Sequence, residues 1–278
     1  MKNKICKKLF RRKIAIFCFG IILLFCFLAI FASFIAPFDP NEINLTNQFA
    51  SPSRFNLLGT DEYGRDIFSR IIFGARVSIF VGLIATFISV FIGVFLGILA
   101  GYFGGIIDYI ISRISEIFYA FPDVLFAIVI MFVLGPGITN LLIALGVLGW
   151  VGTARLIRAQ VLELKQKEFV RTFKASGFGD FYIMFKVILP NCISILIVTI
   201  TTLIPSSIMS EAALSFLGLG VMPPTASWGN MISSARIYIK TVPSYSIFSG
   251  LSIVLLVLAF NIFGDALRDA IDPNIKIM

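Results

Sequence analysis

Long uncharged runs separated by short charged islands set the plan of this chain. Ile14–Ile35 supplies 22 apolar or neutral positions and Val77–Ile107 a further 31. A helix rises about 1.5 Å per residue, so about 20 such residues cross the hydrocarbon of a bilayer. Each run predicts one membrane helix. Val124–Ala154 is also 31 residues long but is cut by Gly135-Pro136-Gly137, which leaves too little for two helices. The third helix is therefore expected to draw Glu116 and Asp123 into its first turns, on a shared face. Charges at membrane depth face a cavity or a partner. The two acids are thus expected either to line the inner part of a path or to sit at the water interface beside Arg113. Val187–Ser210 predicts a fifth span and Tyr245–Gly264 a sixth. Ala212–Ala235 is uncharged too, but Gly218, Gly220, Pro223, Pro224 and Gly229 interrupt it, predicting a loop or re-entrant element. Gly93, Gly97 and Gly101 recur every fourth residue, so a neighbouring helix is expected to approach that face closely.

Composition agrees with this plan. Hydrophobic residues make up 58% and charged residues 14%, with a mean hydropathy of +0.98. A soluble domain carries about 25% charged residues. The fold class is an all-α polytopic membrane protein with six transmembrane helices. The first segment, 1–13, holds seven basic residues and no acidic one. It reads as a cytoplasmic N-terminus before a retained first span at 14–36 rather than as a signal peptide. Residues 37–76 read as an extracytoplasmic loop, and 77–264 as a five-helix core with a cytoplasmic loop at 158–190. Residues 265–278 read as a cytoplasmic tail. In that topology 17 of the 23 Lys and Arg lie inside and six outside. The positive-inside rule favours this orientation, and it accounts for the net charge of +8 without a nucleic-acid partner. The 30 Phe residues read as lipid-facing. The four cysteines have no metal-ligand spacing and read as small hydrophobes.

Enzyme chemistry is sparse. The chain has no histidine, which excludes H-E-x-x-H zinc sites and Ser-His-Asp triads. It has no G-x-x-x-x-G-K-[ST] loop to cradle ATP. The island from Glu168 to Asn191 is more pointed. Arg171 to Ser176 reads as helical, Gly177 can take the left-handed geometry that ends a helix, and Asp180 can cap a helix from Phe181. Pro190, which has no N–H, closes the island through a rigid turn at Leu189-Pro190. Two short helices joined at a bend between membrane spans make a lever that a partner can push.

This island resembles the cytoplasmic coupling loop of the permease subunits of binding-protein-dependent ABC importers, E-A-A-x3-G-x9-I-x-L-P. Gly177 is its glycine and Val187-Ile188-Leu189-Pro190 its close, while Arg171, Thr172 and Phe173 stand at the E-A-A positions. Leu58-Gly59-Thr60-Asp61-Glu62-Tyr63-Gly64-Arg65-Asp66 resembles the L-G-T-D-x-x-G-R-D signature of the C-type permeases of dipeptide, oligopeptide and nickel importers. So do Ser210–Gly220, Pro223-Pro224-Thr225 and Ser227-Trp228-Gly229, and the resemblance runs from about Ala36 to about Pro273. It implies a type I importer permease in the bacterial plasma (inner) membrane, forming half of a translocation path. It implies peptides as solute, with nickel as the alternative. The implied partners are a second homologous permease, two cytoplasmic ATPases and an extracytoplasmic solute-binding protein, within the lipid bilayer. No cofactor is expected on this chain, since ATP and Mg belong to the ATPases. A channel or secondary transporter without ATPases would show an inverted repeat, which this sequence lacks.

Site residues follow from these matches. Arg171, Thr172, Phe173, Ala175, Gly177, Asp180, Leu189 and Pro190 are expected to couple to the ATPase, with Phe173 as the knob entering its cleft. Asp61, Arg65, Asp66, Glu211 and Trp228 are expected at an outer gate or receptor-docking surface. The alternative is a capped turn in which Arg65 pairs with a neighbouring Asp. Glu211 is expected to hold the Ser215–Gly220 turn by accepting backbone N–H groups, with substrate contact as its other role.

Overall fold

The computed structural model describes residues 12–271. The expected basic N-terminus therefore lies almost wholly outside the described residues, as does the end of the tail. The described chain is helical, and its single β-bridge joins Thr60 to Asp66.

Helix α1 spans Lys13–Ile30, followed by a short α2 at Ala32–Ile35. Ala15, Cys18, Ile22, Phe25 and Ala29 recur at helical spacing and form the buried stripe of α1. Phe17, Leu24, Phe27 and Ile30 lie exposed on its other sides, as a lipid-facing helix requires. An extended segment with one 3₁₀ turn at Leu45–Asn47 leads to α3, Ile67–Phe103. Asp66 starts α3 by accepting from the Ser69 N–H at 2.8 Å. The helix thus begins ten residues before its uncharged run at Val77, and Arg70 and Arg76 lie within it. Both cations donate to carbonyls: Arg70 to Pro40 O at 2.7 Å and Arg76 to Ala29 O at 2.8 Å.

The chain then forms α4 (Gly105–Tyr119), α5 (Asp123–Leu134), α6 (Ile138–Leu148) and α7 (Trp150–Lys165). The glycine face of α3 receives α7 as expected. A Cβ at Gly93 would stand 2.7 Å from Trp150 O, and one at Gly97 2.5 Å from Ala154 O. The third span differs from the sequence expectation, because α4 and α5 meet at 90° rather than forming one helix. Pro122, without an N–H to continue the ladder, stands at the break. Glu116 and Asp123 therefore share no helix face.

Helix α8, Glu168–Ala175, leads to α9, which runs unbroken over Asp180–Phe216. A π turn at Ile183–Ile188 lies just before Pro190, whose ring and missing N–H disturb the regular α ladder. Asn191 Nδ2 refills the gap by donating to Val187 O at 2.7 Å. The expected rigid turn at Leu189-Pro190 is thus a continuous helix. Helix α10, Trp228–Ala235, is short, has a Ser227–Asn230 capping box and packs against α9 and α11. It lies in the stretch whose Gly and Pro interruptions predicted a loop or re-entrant element rather than a full span, and at eight residues it is too short to cross a bilayer. Helix α11, Pro243–Ile271, ends the described chain, tied to the start of α1 by an Arg12–Asp269 ion pair at 2.7 Å. Five helical segments are long and apolar enough to span a membrane, and α4 with α5 makes six.

Candidate functional site

At one end of the bundle, α8 closes in a Schellman motif. Gly177 takes φ +82°, its N–H donates to Lys174 O at 3.1 Å, and the Phe178 N–H reaches back to Phe173 O at 3.2 Å. The apolar contact that accompanies this motif is present, with the Phe173 and Phe178 rings 5.2 Å apart. Tyr182 stacks on Phe178 at 4.9 Å. Phe173 is therefore half-buried, packed against Phe178 and Tyr182. The exposed rings are Phe169, Phe178, Phe181 and Tyr182, and Phe169, Thr172, Phe173, Ser176 and Phe178 line a shallow cavity. Arg171, Lys174 and Ala175 are exposed beside it.

Beneath this surface the loop is firmly attached. Val170 is buried against Ile183, Met184 and Val187 in one apolar cluster that includes Leu189, while Pro190 stays exposed. Asp180 does not cap a helix from Phe181. It is the first residue of α9, and its carboxylate accepts from the Tyr102 hydroxyl at 2.6 Å. Lys165 donates to Tyr102 O at 2.5 Å. Tyr102 and Lys165 thus fasten the loop to the end of α3. Their spacing in sequence gave no hint of this, whereas Phe178 could have been found from its place just after Gly177.

The opposite end is built differently. Asp61 is fully buried; one oxygen accepts from the Tyr63 and Arg65 N–H groups at 2.9 Å and the other from Arg65 Nε at 2.7 Å. Asp66 receives Asn56 Nδ2 at 2.9 Å as well as the Ser69 N–H. Gly64, at φ +72°, lies so close to Asn44 that a Cβ would stand 1.8 Å from its carbonyl oxygen. Of the two readings of this motif, the internally paired turn is the one observed. Burial pushes the Glu62 carboxyl above its ordinary value. Trp228 is fully buried and donates its indole N–H to Ile71 O at 3.0 Å. Glu211 is also fully buried, accepting from Ser78 and Ser215 hydroxyls at 2.8 Å each. Ser215 Oγ in turn accepts the Val221 N–H at 3.0 Å. Glu211 therefore holds the turn through Ser215, and not through backbone N–H groups as expected.

Between the two ends, the α4–α5 break separates the remaining acids. Glu116 pairs with Arg113 at 2.6 Å, both well exposed. Asp123 lines a cavity of about 130 Å³ with Ser89, Ser206, Ser207 and Ser210. Ser206, Ser207 and Ser210 stood in the fifth apolar run at helical spacing, a pattern that sequence reading passed over.

Three comparisons bear on this arrangement. Residues 93–277 match the model of the binding-protein-dependent transport system inner membrane component family, and residues 4–52 match the N-terminal transmembrane domain of oligopeptide transport permease C. The chain is 43% identical over 270 residues to a dipeptide transport system permease protein of Alkalihalophilus pseudofirmus, covering 97% of this chain and 89% of that protein. It is 46% identical over 256 residues to a glutathione transport system permease protein of Shigella flexneri, covering 92% and 84%. In fold it is similar to a solved chain of the MetNI methionine ABC transporter in inward-facing form. That likeness has a TM-score of 0.55 at 18% identity, over 73% of this chain and 96% of that one. With a family model matching well over half its length and relatives matching nearly all of it, the chain belongs to the inner membrane components of binding-protein-dependent transport systems.

Proposed function

We propose that this chain is a membrane-spanning subunit of an ATP-driven peptide importer, forming half of the path beside a second permease. The two relatives named above move a dipeptide and glutathione, both small peptides. The observation that carries the reading is the α8 loop. It offers exposed Phe169, Phe178, Arg171 and Lys174 on a rigid Schellman cap joined to α9 through the Val170 cluster. Such a loop accepts a push from a cytoplasmic ATPase and passes it to a membrane helix without dissipating it in a flexible joint. The proposed orientation places this loop, with both termini, in the cytoplasm, in accord with its share of Lys and Arg. A substrate-binding protein would deliver peptide to the opposite end, where the buried Asp61–Arg65 pair braces the loop that receives it.

The test is uptake of labelled dialanine, glutathione and nickel in cells lacking this gene and complemented with it. Loss of peptide uptake, restored by the intact gene, is expected. The double substitution Phe169→Asp and Phe178→Asp is expected to abolish uptake and ATPase recruitment while leaving the membrane level of the chain intact. Undiminished uptake by that variant would remove the coupling role. Loss of nickel uptake alone would overturn the peptide assignment.

A further inference from the structure

The cavity around Asp123 carries an assignment of its own. Its lining comes from α3, α5, α6 and α9, and Asp123 is the sole titratable group in it. Ser89, Ser206, Ser207 and Ser210 supply hydroxyls, and no Lys or Arg reaches it. Asp123 makes no hydrogen bond or ion pair with any other described residue, although it is exposed. Its depth makes this unusual. Ser89 lies 13 residues beyond Arg76, so about 20 Å along α3 from the last charge before the uncharged run. The hydrocarbon is about 30 Å thick, which places the cavity well inside it. The neighbours agree: Ser89 donates to Gly146 O at 3.0 Å, and Ser207 meets Thr86 at 3.0 Å, both within the spans. A carboxylate at such depth faces a water-filled path or an opposite charge.

We infer that Asp123 is a specificity-determining residue that receives the α-ammonium of a peptide in transit, with the serine hydroxyls accepting its remaining N–H groups. A zwitterionic peptide offers one cationic end and one anionic end. A site with one carboxylate, several hydroxyls and no basic side chain selects the cationic end. This inference rests on the peptide-importer reading above. The 90° break at Pro122 is what brings Asp123 here, by starting α5 at cavity depth instead of at the end of a straight span.

The test uses the full importer in proteoliposomes with its own binding protein, comparing wild type with Asp123→Asn and Asp123→Glu. The probe is labelled dialanine, transported between pH 6.5 and 9.5. Because the binding protein is the same throughout, the variant-to-wild-type ratio isolates the permease. At pH 7, Asp123→Asn is expected to raise KM at least about tenfold, the size of one charge-assisted hydrogen bond. Asp123→Glu, which keeps the carboxylate, should restore most of the affinity. The gap should close as pH passes about 8, where a peptide α-amino group loses its proton. A gap that persists at every pH would mean that Asp123 pairs with a fixed cation of the second permease, overturning the inference. No gap at any pH would overturn it as well. Failure of wild type itself to carry dialanine would instead overturn the peptide reading and this inference with it.

Discussion

The two ends of the bundle use charge in opposite ways. At the end built by Leu58–Asp66, the charged residues of the motif turn inward: Asp61 and Arg65 are buried against each other, and Asp66 is buried against Asn56 and the Ser69 N–H. At the α8 end, Arg171 and Lys174 stay in solvent and the aromatic rings that rise beside them remain open. A motif rich in charge therefore need not be a contact surface. Here one motif builds a platform from within, while the other presents a surface whose inner side alone is fixed. The lesson extends to Glu211 and Trp228, which look like contact residues by type yet brace the turn and α10 from inside.

This contrast can be broken at several points. The largest effect is expected in the common frame of both ends, where α7 packs on the glycine face of α3. Gly97→Leu would force a Cβ to 2.5 Å from Ala154 O, separating α3 from α7, and the membrane level of the chain should fall to background on immunoblot. Asp61→Ala comes next. It leaves Arg65 and Arg70 buried without their carboxylate, a loss of about 3–5 kcal/mol for a broken buried pair. Reduced thermal stability in detergent and lower accumulation should follow, whatever substrate is offered. Tyr102→Phe should be milder. It removes the hydroxyl bonded to Asp180, a bond to a charged group worth about 1.5–3 kcal/mol. Since the apolar cluster around Val170 remains, global stability should change little. Protease cleavage of the α8 loop should quicken, and transport per ATP hydrolysed should fall. If Asp61→Ala damaged only coupling and Tyr102→Phe only stability, the division between the ends would be reversed.

The legibility of these features followed the range of the interactions behind them. Gly177 ending α8, the glycine face of α3 and the interruption of the apolar run before α10 were all readable, because each depends on backbone conformation or helical spacing within a few residues. Asp180 was misread because its partner, Tyr102, lies 78 residues away in the chain. The packing of Phe173 was not readable because its Schellman contact arises only once Phe178 folds back. Ser78 and Tyr102 escaped notice, since polar residues within apolar runs reveal no partner until two helices are set side by side.

Sequence alone determined that this chain crosses a membrane several times, because a bilayer of fixed thickness demands uncharged runs of matching length. It also determined the local punctuation of the α8 loop, since a left-handed glycine needs no distant help. Tertiary structure decided where the charges go. It turned Asp61 and Glu211 inward against partners brought close by packing, and broke the third span at Pro122 so that Asp123 entered the cavity and Glu116 did not. The physical reason is that hydrophobic length is additive along the chain, whereas the pairing of a buried charge depends on which helices come together around it.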